Sequence, residues 1–148
     1  MLTLFDVDVS FITKMLTAEE LKSQLPQFTG TEYYYSHPFF GIKYTDGIRF
    51  LAENAGAFWL IDAIASYQPQ LARNPMLRDF QVWILVVGDS HNFIKPQPKN
   101  KACLTCWEDT PNVGVKPAVS QQIPYTDFPL SEIKLYLESG VLLLPRER

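Results

Sequence analysis

The sequence predicts an α+β fold: a mostly antiparallel sheet, a central helical block over about 46–73 packed on one of its faces, and a C-terminal β-hairpin. Three patterns predict it. Residues 46–67 carry apolar side chains at helical spacing. Residues 80–87 (Phe-Gln-Val-Trp-Ile-Leu-Val-Val) form the strongest strand pattern, apolar enough for a central strand covered in part on both faces. Residues 132–138 alternate apolar and polar, with Ile133, Leu135 and Leu137 on one face, and pass through Ser139-Gly140 into a second apolar run at 141–144. A helix over 131–138 capped by Ser131 is the alternative, and the alternation with the Ser-Gly turn favours strand. Only one helical block interrupts the strands, which disfavours a doubly wound nucleotide fold.

In chain order, residues 1–16 begin with apolar and acidic residues in alternation and read as a loose strand or an unstructured lead. Thr17 with Glu20 three residues on forms a capping box for a short helix, which would turn Leu21 and Leu25 inward and stop at Pro26. Residues 31–36 (Thr-Glu-Tyr-Tyr-Tyr-Ser) are strand formers, with Tyr33 and Tyr35 on one face and Tyr34 on the other. His37-Pro-Phe-Phe-Gly41 turns the chain, and 42–44 forms a second short strand leading into the main helix.

In that helix Asp46 is the expected N-cap. Ile48, Leu51, Ala52 and Ala55 form the apolar stripe, which Trp59 continues, and Arg49 with Glu53 can pair on the outer face. Gly56 costs about 1 kcal/mol relative to alanine inside a helix, so the stretch reads as one main helix or as two helices bent at Gly56, with a bend or close backbone contact there. Beyond it, 58–65 is apolar almost all round and reads as buried on most sides. Pro69 opens a further turn through Arg73, and Asn74-Pro75 breaks the helix. After the strand at 80–87, residues 89–101 are polar and form a loop, 102–107 is a partner strand, 113–119 a weaker strand broken by Pro117, and 120–131 irregular.

At 148 residues, with hydrophobic residues at 47% and charged residues at 20%, the chain reads as one globular domain, 1–148. A net charge of −3 with scattered lysines disfavours nucleic-acid binding, which needs clustered Lys and Arg. The acidic N-terminus does not fit a signal peptide, and the longest apolar run, 82–87, is too short for a membrane span. Two cysteines and no export signal point to a reduced cytoplasmic compartment. Aromatics at 14% fit a thick core first and an aromatic-lined pocket second.

Four features could carry chemistry. Asp62 falls on the stripe of Ile48, Ala55 and Trp59 in a continuous helix. It is either a site carboxylate with a perturbed pKa or a structural anchor, unless the bend at Gly56 turns it into solvent. Cys103-Leu-Thr-Cys106 has metal or redox spacing. In a strand, however, positions i and i+3 face opposite ways, and a Cys2His2 site would have to recruit His37 and His91 from distant segments. Asp89-Ser90-His91 groups an acid, a hydroxyl and an imidazole, but triad partners converge from separated segments, so a polar turn is the simpler reading. Tyr33, Tyr34 and Tyr35 could stack bases or sugars, against the simpler role of covering a sheet. No phosphate-binding glycine motif occurs, and no cofactor is expected.

The runs Phe28-Thr-Gly-Thr-Glu-Tyr-Tyr and Tyr44-Thr-Asp-Gly-Ile-Arg-Phe-Leu-Ala-Glu-Asn-Ala-Gly-Ala-Phe-Trp-Leu-Ile-Asp, with the terminal Leu-Tyr-Leu-Glu-Ser-Gly-Val-Leu-Leu-Leu-Pro, resemble a small family of uncharacterised bacterial proteins, chiefly cyanobacterial. The resemblance implies a domain of unknown function and brings no catalytic residues with it. Two functional readings follow from the residues. One is a non-enzymatic interaction or accessory domain, with a protein partner or self-association through strand edges. The other is an enzyme or ligand-binding protein with a pocket between helices and sheet, drawing on Asp62, Trp59, Tyr35 and His37.

Overall fold

The computed structural model describes residues 15–148, so most of the lead expected over 1–16 lies outside the described residues. Along the chain come α1 (Ala18–Gln24), β1 (Tyr34–Ser36), β2 (Lys43–Thr45), α2 (Asp46–Ala55), α3 (Phe58–Ser66), α4 (Gln68–Leu71), α5 (Pro75–Asp79), β3 (Phe80–Val87), β4 (Ala102–Trp107), β5 (Val119–Ile123), β6 (Glu132–Glu138) and β7 (Val141–Leu143), with 3-10 turns at Leu25–Gln27 and Pro145–Glu147. The fold is mixed α+β. Its seven strands form one sheet in the order β1-β2-β7-β6-β3-β4-β5. All neighbours are antiparallel except β2 and β7, which run parallel with Lys43 opposite Val141 and Tyr44 opposite Leu142. Among the described residues, no helix is long and apolar enough to cross a membrane.

The two sides of β3 divide the core. Trp83 and Leu85 join Ile48, Leu51, Leu60 and Ile64 of the helices, with Leu104 and Leu135 from the flanking strands. Val82, Ile84 and Val86 meet Cys103, Trp107 and the loop residue Ile94. Each buried Leu, Ile or Val contributes about 1.5–3 kcal/mol over its exposed state. Gln81 of β3 is polar and buried, and its bonds are satisfied. Its Nε2 donates to Leu77 O and Gln68 Oε1, both at 2.8 Å, and its Oε1 accepts from Gln68 Nε2 at 3.0 Å and Trp83 Nε1 at 2.8 Å. This amide pair ties α4 to β3 across the core.

The β3, β4 and β6 spans coincide with their patterns, and the capping box at Thr17 and Glu20 forms. The C-terminal hairpin closes through Ser139 and Gly140, both at positive φ (50° and 79°). Gly56 ends α2 in the left-handed conformation (φ 60°), so of the two forms expected for 46–67 the structure takes the two-helix one. The restart rotates α3, and Asp62 leaves the apolar stripe for solvent. Phe58 is exposed as well, so α3 is not buried on most sides. The helix breaks as expected before Asn74-Pro75, which in addition starts α5, because the Asn74 side chain accepts from Met76 N (2.9 Å) and Pro75 sits where no amide is needed. β5 lies at 119–123, four residues beyond the loop bearing Val115, so the stretch expected to be irregular begins with a strand.

Asp46 is not the N-cap of α2. β2 carries extended backbone through Thr45, which takes the cap and accepts from Ile48 N at 3.3 Å. Glu147, from the other end of the sequence, completes it. Its Oε1 accepts from Thr45 Oγ1 (2.6 Å) and Leu144 N (2.9 Å), and its Oε2 from Gly47 N (3.0 Å). Gly47 is required there, since a Cβ would lie 2.6 Å from Glu147 Oε1 and 2.7 Å from Leu144 Cδ1. Asp46 points the other way, accepting from Glu32 N (2.9 Å), Tyr33 N (3.4 Å) and Tyr35 OH (2.9 Å).

Replacing Glu147 by Ala leaves the Gly47 amide and the Thr45 hydroxyl without their partner and should cost about 1–3 kcal/mol in urea unfolding. Gly47→Ala displaces the same carboxylate, so the double variant should lose less than the sum of the two singles. Additive losses would show that the two residues are not coupled.

The Glu32 amide, aided by Tyr35 and Thr31, holds the Asp46 carboxyl below its ordinary value of 3.8. Because the folded value is the lower one, the stability from this group is present above 3.8 and is lost as pH falls below it through the folded value. Asp46→Asn should therefore lower stability at neutral pH and flatten the decline of thermal midpoint in that acid range. An unchanged acid limb would remove Asp46 from the account.

Candidate functional site

The four residues singled out for a ligand site lie on β1, its turn and α3. His37 and Asp62 meet. His37 is buried after β1, and its Nδ1 accepts from Phe39 N at 3.2 Å. That contact fixes the tautomer, so Nε2 carries the proton and donates to Asp62 Oδ1 at 2.9 Å. Asp62 itself keeps 71% of its side chain in water. With both ring nitrogens engaged, His37 has none left to take a proton from a substrate. The contact ties the 37–42 turn to α3. Tyr35 is engaged too: it donates to Asp46, and the Arg49 guanidinium lies 4.5 Å over its ring. Its hydroxyl pKa is raised, chiefly by the bond to Asp46 and then by desolvation. Trp59 packs half-buried against the main core.

Around this staple the surface is aromatic. Phe39 is 81% exposed, Tyr33 63% and Tyr34 59%, while Phe40 and Phe58 keep close to half their surface in water. Phe39 and Phe40 flank the His37 ring, with centroids at 6.1 and 5.8 Å. Phe58 stands one helical turn before Asp62 on α3. The sequence signal for this patch was present in the uncharged run 33–41, where the turn residues 37–41 read only as a connection. Sequence reasoning also missed Glu147, for which no local pattern exists.

The metal candidates do not converge. Cys103 belongs to the smaller core and Cys106 to the larger, on opposite faces of β4. Burial raises both thiols, that of Cys106 to about 12, which suits neither a thiolate ligand nor a nucleophile. β1 and β3 are four strand positions apart, about 19 Å, which separates His37 from the loop bearing His91. His91 Nδ1 accepts from Phe93 N (3.2 Å) and Ile94 N (2.9 Å). No group of three or more His, Cys, Asp or Glu able to hold a metal occurs among the described residues. Asp89, Ser90 and His91 do not form a relay: Asp89 pairs with Lys95 at 2.6 Å and Ser90 reaches Ser131 O at 3.4 Å.

Recesses occur on the sheet face bearing the smaller core, and a further one of about 210 Å³ lies beside the larger core between Leu25, Pro26, Ile133 and Leu144. One of about 230 Å³ lies between Phe93, Trp107, Val113 and Pro117, with Thr105 at its floor. The Thr105 hydroxyl already donates to Ile84 O (3.2 Å) and accepts from Trp107 Nε1 (2.8 Å). The interface between helices and sheet is filled instead by Leu51, Leu60, Ile64, Trp83, Leu85 and Leu135, none more than 2% exposed.

Fold and surface together define a mixed α+β protein with a seven-stranded, mostly antiparallel sheet whose conspicuous polar residues are bonded internally. A family model described as a family of unknown function (DUF6876) matches residues 19–148, and the chain belongs to that family. No curated protein and no solved structure matches it.

Asp62→Asn preserves an acceptor for the His37 Nε2 proton. It should leave stability within about 0.5 kcal/mol of the parent, because the carboxylate is exposed. His37→Ala, which empties a buried position and frees the Phe39 amide, should cost about 2–3 kcal/mol. Denaturant midpoints check both, and equal losses would contradict this division of roles.

Proposed function

We propose that this protein is a non-enzymatic cytoplasmic interaction or accessory domain, a single unit in which the helical block covers one sheet face and leaves the β1 edge for a protein partner. One observation carries the reading. Among the described residues, the candidate side chains Tyr35, His37 and His91 are held in structural bonds and the two cysteines are buried in the cores, whereas Tyr33, Tyr34, Phe39, Phe40 and Phe58 are exposed around one sheet edge. Exposed aromatics gathered in this way mark binding surfaces more than scattered apolar residues do. Neither nucleic acid nor membrane fits an edge that lacks Lys and Arg between residues 33 and 41.

A photo-crosslinking side chain at Phe39 in the living host tests this. Irradiation should give covalent protein adducts from Phe39, and none from Met76, which is similarly exposed at the start of α5. Equal yields at the two positions, or none at Phe39, would overturn the reading.

A further inference from the structure

The geometry points to a second copy of this chain as the partner of the β1 edge, joined to it as an antiparallel, two-fold strand pair centred on Tyr35. This deepens the interaction reading and rests on it. The hydrogen-bond phase of β1 is fixed by its inner neighbour. His37 N donates to Ile42 O at 2.8 Å, and Tyr35 lies opposite Tyr44 two residues earlier, so both of these residues turn their main-chain groups toward β2. Tyr34 and Ser36 therefore turn theirs outward. A two-fold axis at Tyr35 sets Tyr34 of each copy opposite Ser36 of the other, and each such pair exchanges two bonds, about four in all.

The side chains fit the same register. Tyr34 and Ser36 share the face away from α2, so a large residue meets a small one across the axis. Tyr35 meets its own copy on the helix side, a favourable aromatic cross-strand pair. Charge selects this edge as well. Each chain carries −3, so two copies repel overall, yet no Asp, Glu, Lys or Arg lies within the run 33–41 itself, and the charges that flank it, Arg49 over Tyr35 and Asp62 on His37, are of opposite sign. The opposite edge, β5, is bracketed by Pro117 and Pro124, a familiar guard against pairing. Area is adequate too. With each aromatic worth roughly 200 Å² when fully covered, the exposed parts of Tyr33, Tyr34, Phe39 and Phe40 offer roughly 500 Å² per copy, most of the ~800 Å² per partner in a standard interface. A lone extended peptide on a three-residue strand would gain the few main-chain bonds without bringing a matching aromatic surface.

Sedimentation velocity on the purified full chain, from micromolar to millimolar concentration, should show a dimer. Ser36→Pro removes an outward amide and should give a folded monomer, whereas Ser120→Lys on β5 should remain dimeric. Register is read separately by cysteine pairing. Mixed Tyr34→Cys and Ser36→Cys chains should form a disulfide at least tenfold faster than either variant alone, because only the mixed pair sits directly across the axis. That result upholds the proposal even if Ser36→Pro fails to fold. A monomeric parent, a dimer that dissociates only in Ser120→Lys, or no preference for the mixed disulfide would overturn it. A monomeric parent that still gives adducts to a different protein at Phe39 would sink the self-pairing alone. A monomer without adducts would remove the interaction reading as well.

Discussion

The amino end of α2 is the junction on which the rest of the arrangement depends. A helix begins with amides that have no partner within it, and here those amides, with the Asp46 carboxylate beside them, hold the 31–35 segment and the C-terminal turn. Thr45 closes β2 and caps the helix, Glu147 returns from the C-terminus to hold Thr45 and Gly47, and Asp46 gathers Glu32, Tyr33 and Tyr35. The parallel pairing of β2 with β7 explains how Glu147 arrives. β7 ends at Leu143, one 3-10 turn before the carboxylate, beside the strand that ends at Thr45. Strand pairing and helix cap thus enforce each other.

This coupling is what makes the β1–β2 hairpin tenable. Each of its strands has three residues, and such a hairpin is marginal alone. Its hold on the sheet comes from the short parallel pair, the Asp46 carboxylate and the His37–Asp62 contact that pins its turn to α3. The same three anchors fix the orientation of the outer edge. An edge held this firmly presents Tyr34 and Ser36 in one geometry, so a partner would have little strand ordering to complete on binding.

Legibility in the sequence followed the range of the forces involved. β3, β4 and β6 could be read because each is apolar or strictly alternating, and burial decides such strands locally. β5 (Val-Ser-Gln-Gln-Ile) could not, since it is polar and becomes a strand by pairing with β4. Asn74-Pro75 was legible as a break, and the helix does end before it; that it also starts α5 follows from the side-chain bond to Met76 N. Thr45 and Asp46 are both good caps. The choice fell to Thr45 because β2 extends to it, a tertiary fact. The exposure of Asp62 was open in the sequence as one outcome of the disruption at Gly56, and the left-handed stop there decides it. The partners of Glu147 lie 100 and 102 positions away and leave no trace in its neighbourhood.

Among the candidate site residues, chemical conspicuousness pointed to structural duty. A histidine that meets an aspartate draws the eye because these side chains bond strongly, and here that bond ties the 37–42 turn to α3, while the Cys-x-x-Cys thiols are free and packed in the two cores. Both ring nitrogens of His37 are occupied, and Cys106 is too deeply buried to ionise near neutrality. What the fold does not use internally is apolar. Trp83 and Leu85 are accounted for by the core, whereas Phe39, at the tip of a turn, buries little of itself and contributes little to holding the chain together. An exposed phenylalanine has no stabilising role to explain it, and five aromatics around a strand edge that no described strand pairs have less still. Covering them with an equally uncharged, strand-forming surface removes that anomaly, and β1 of a second copy is such a surface.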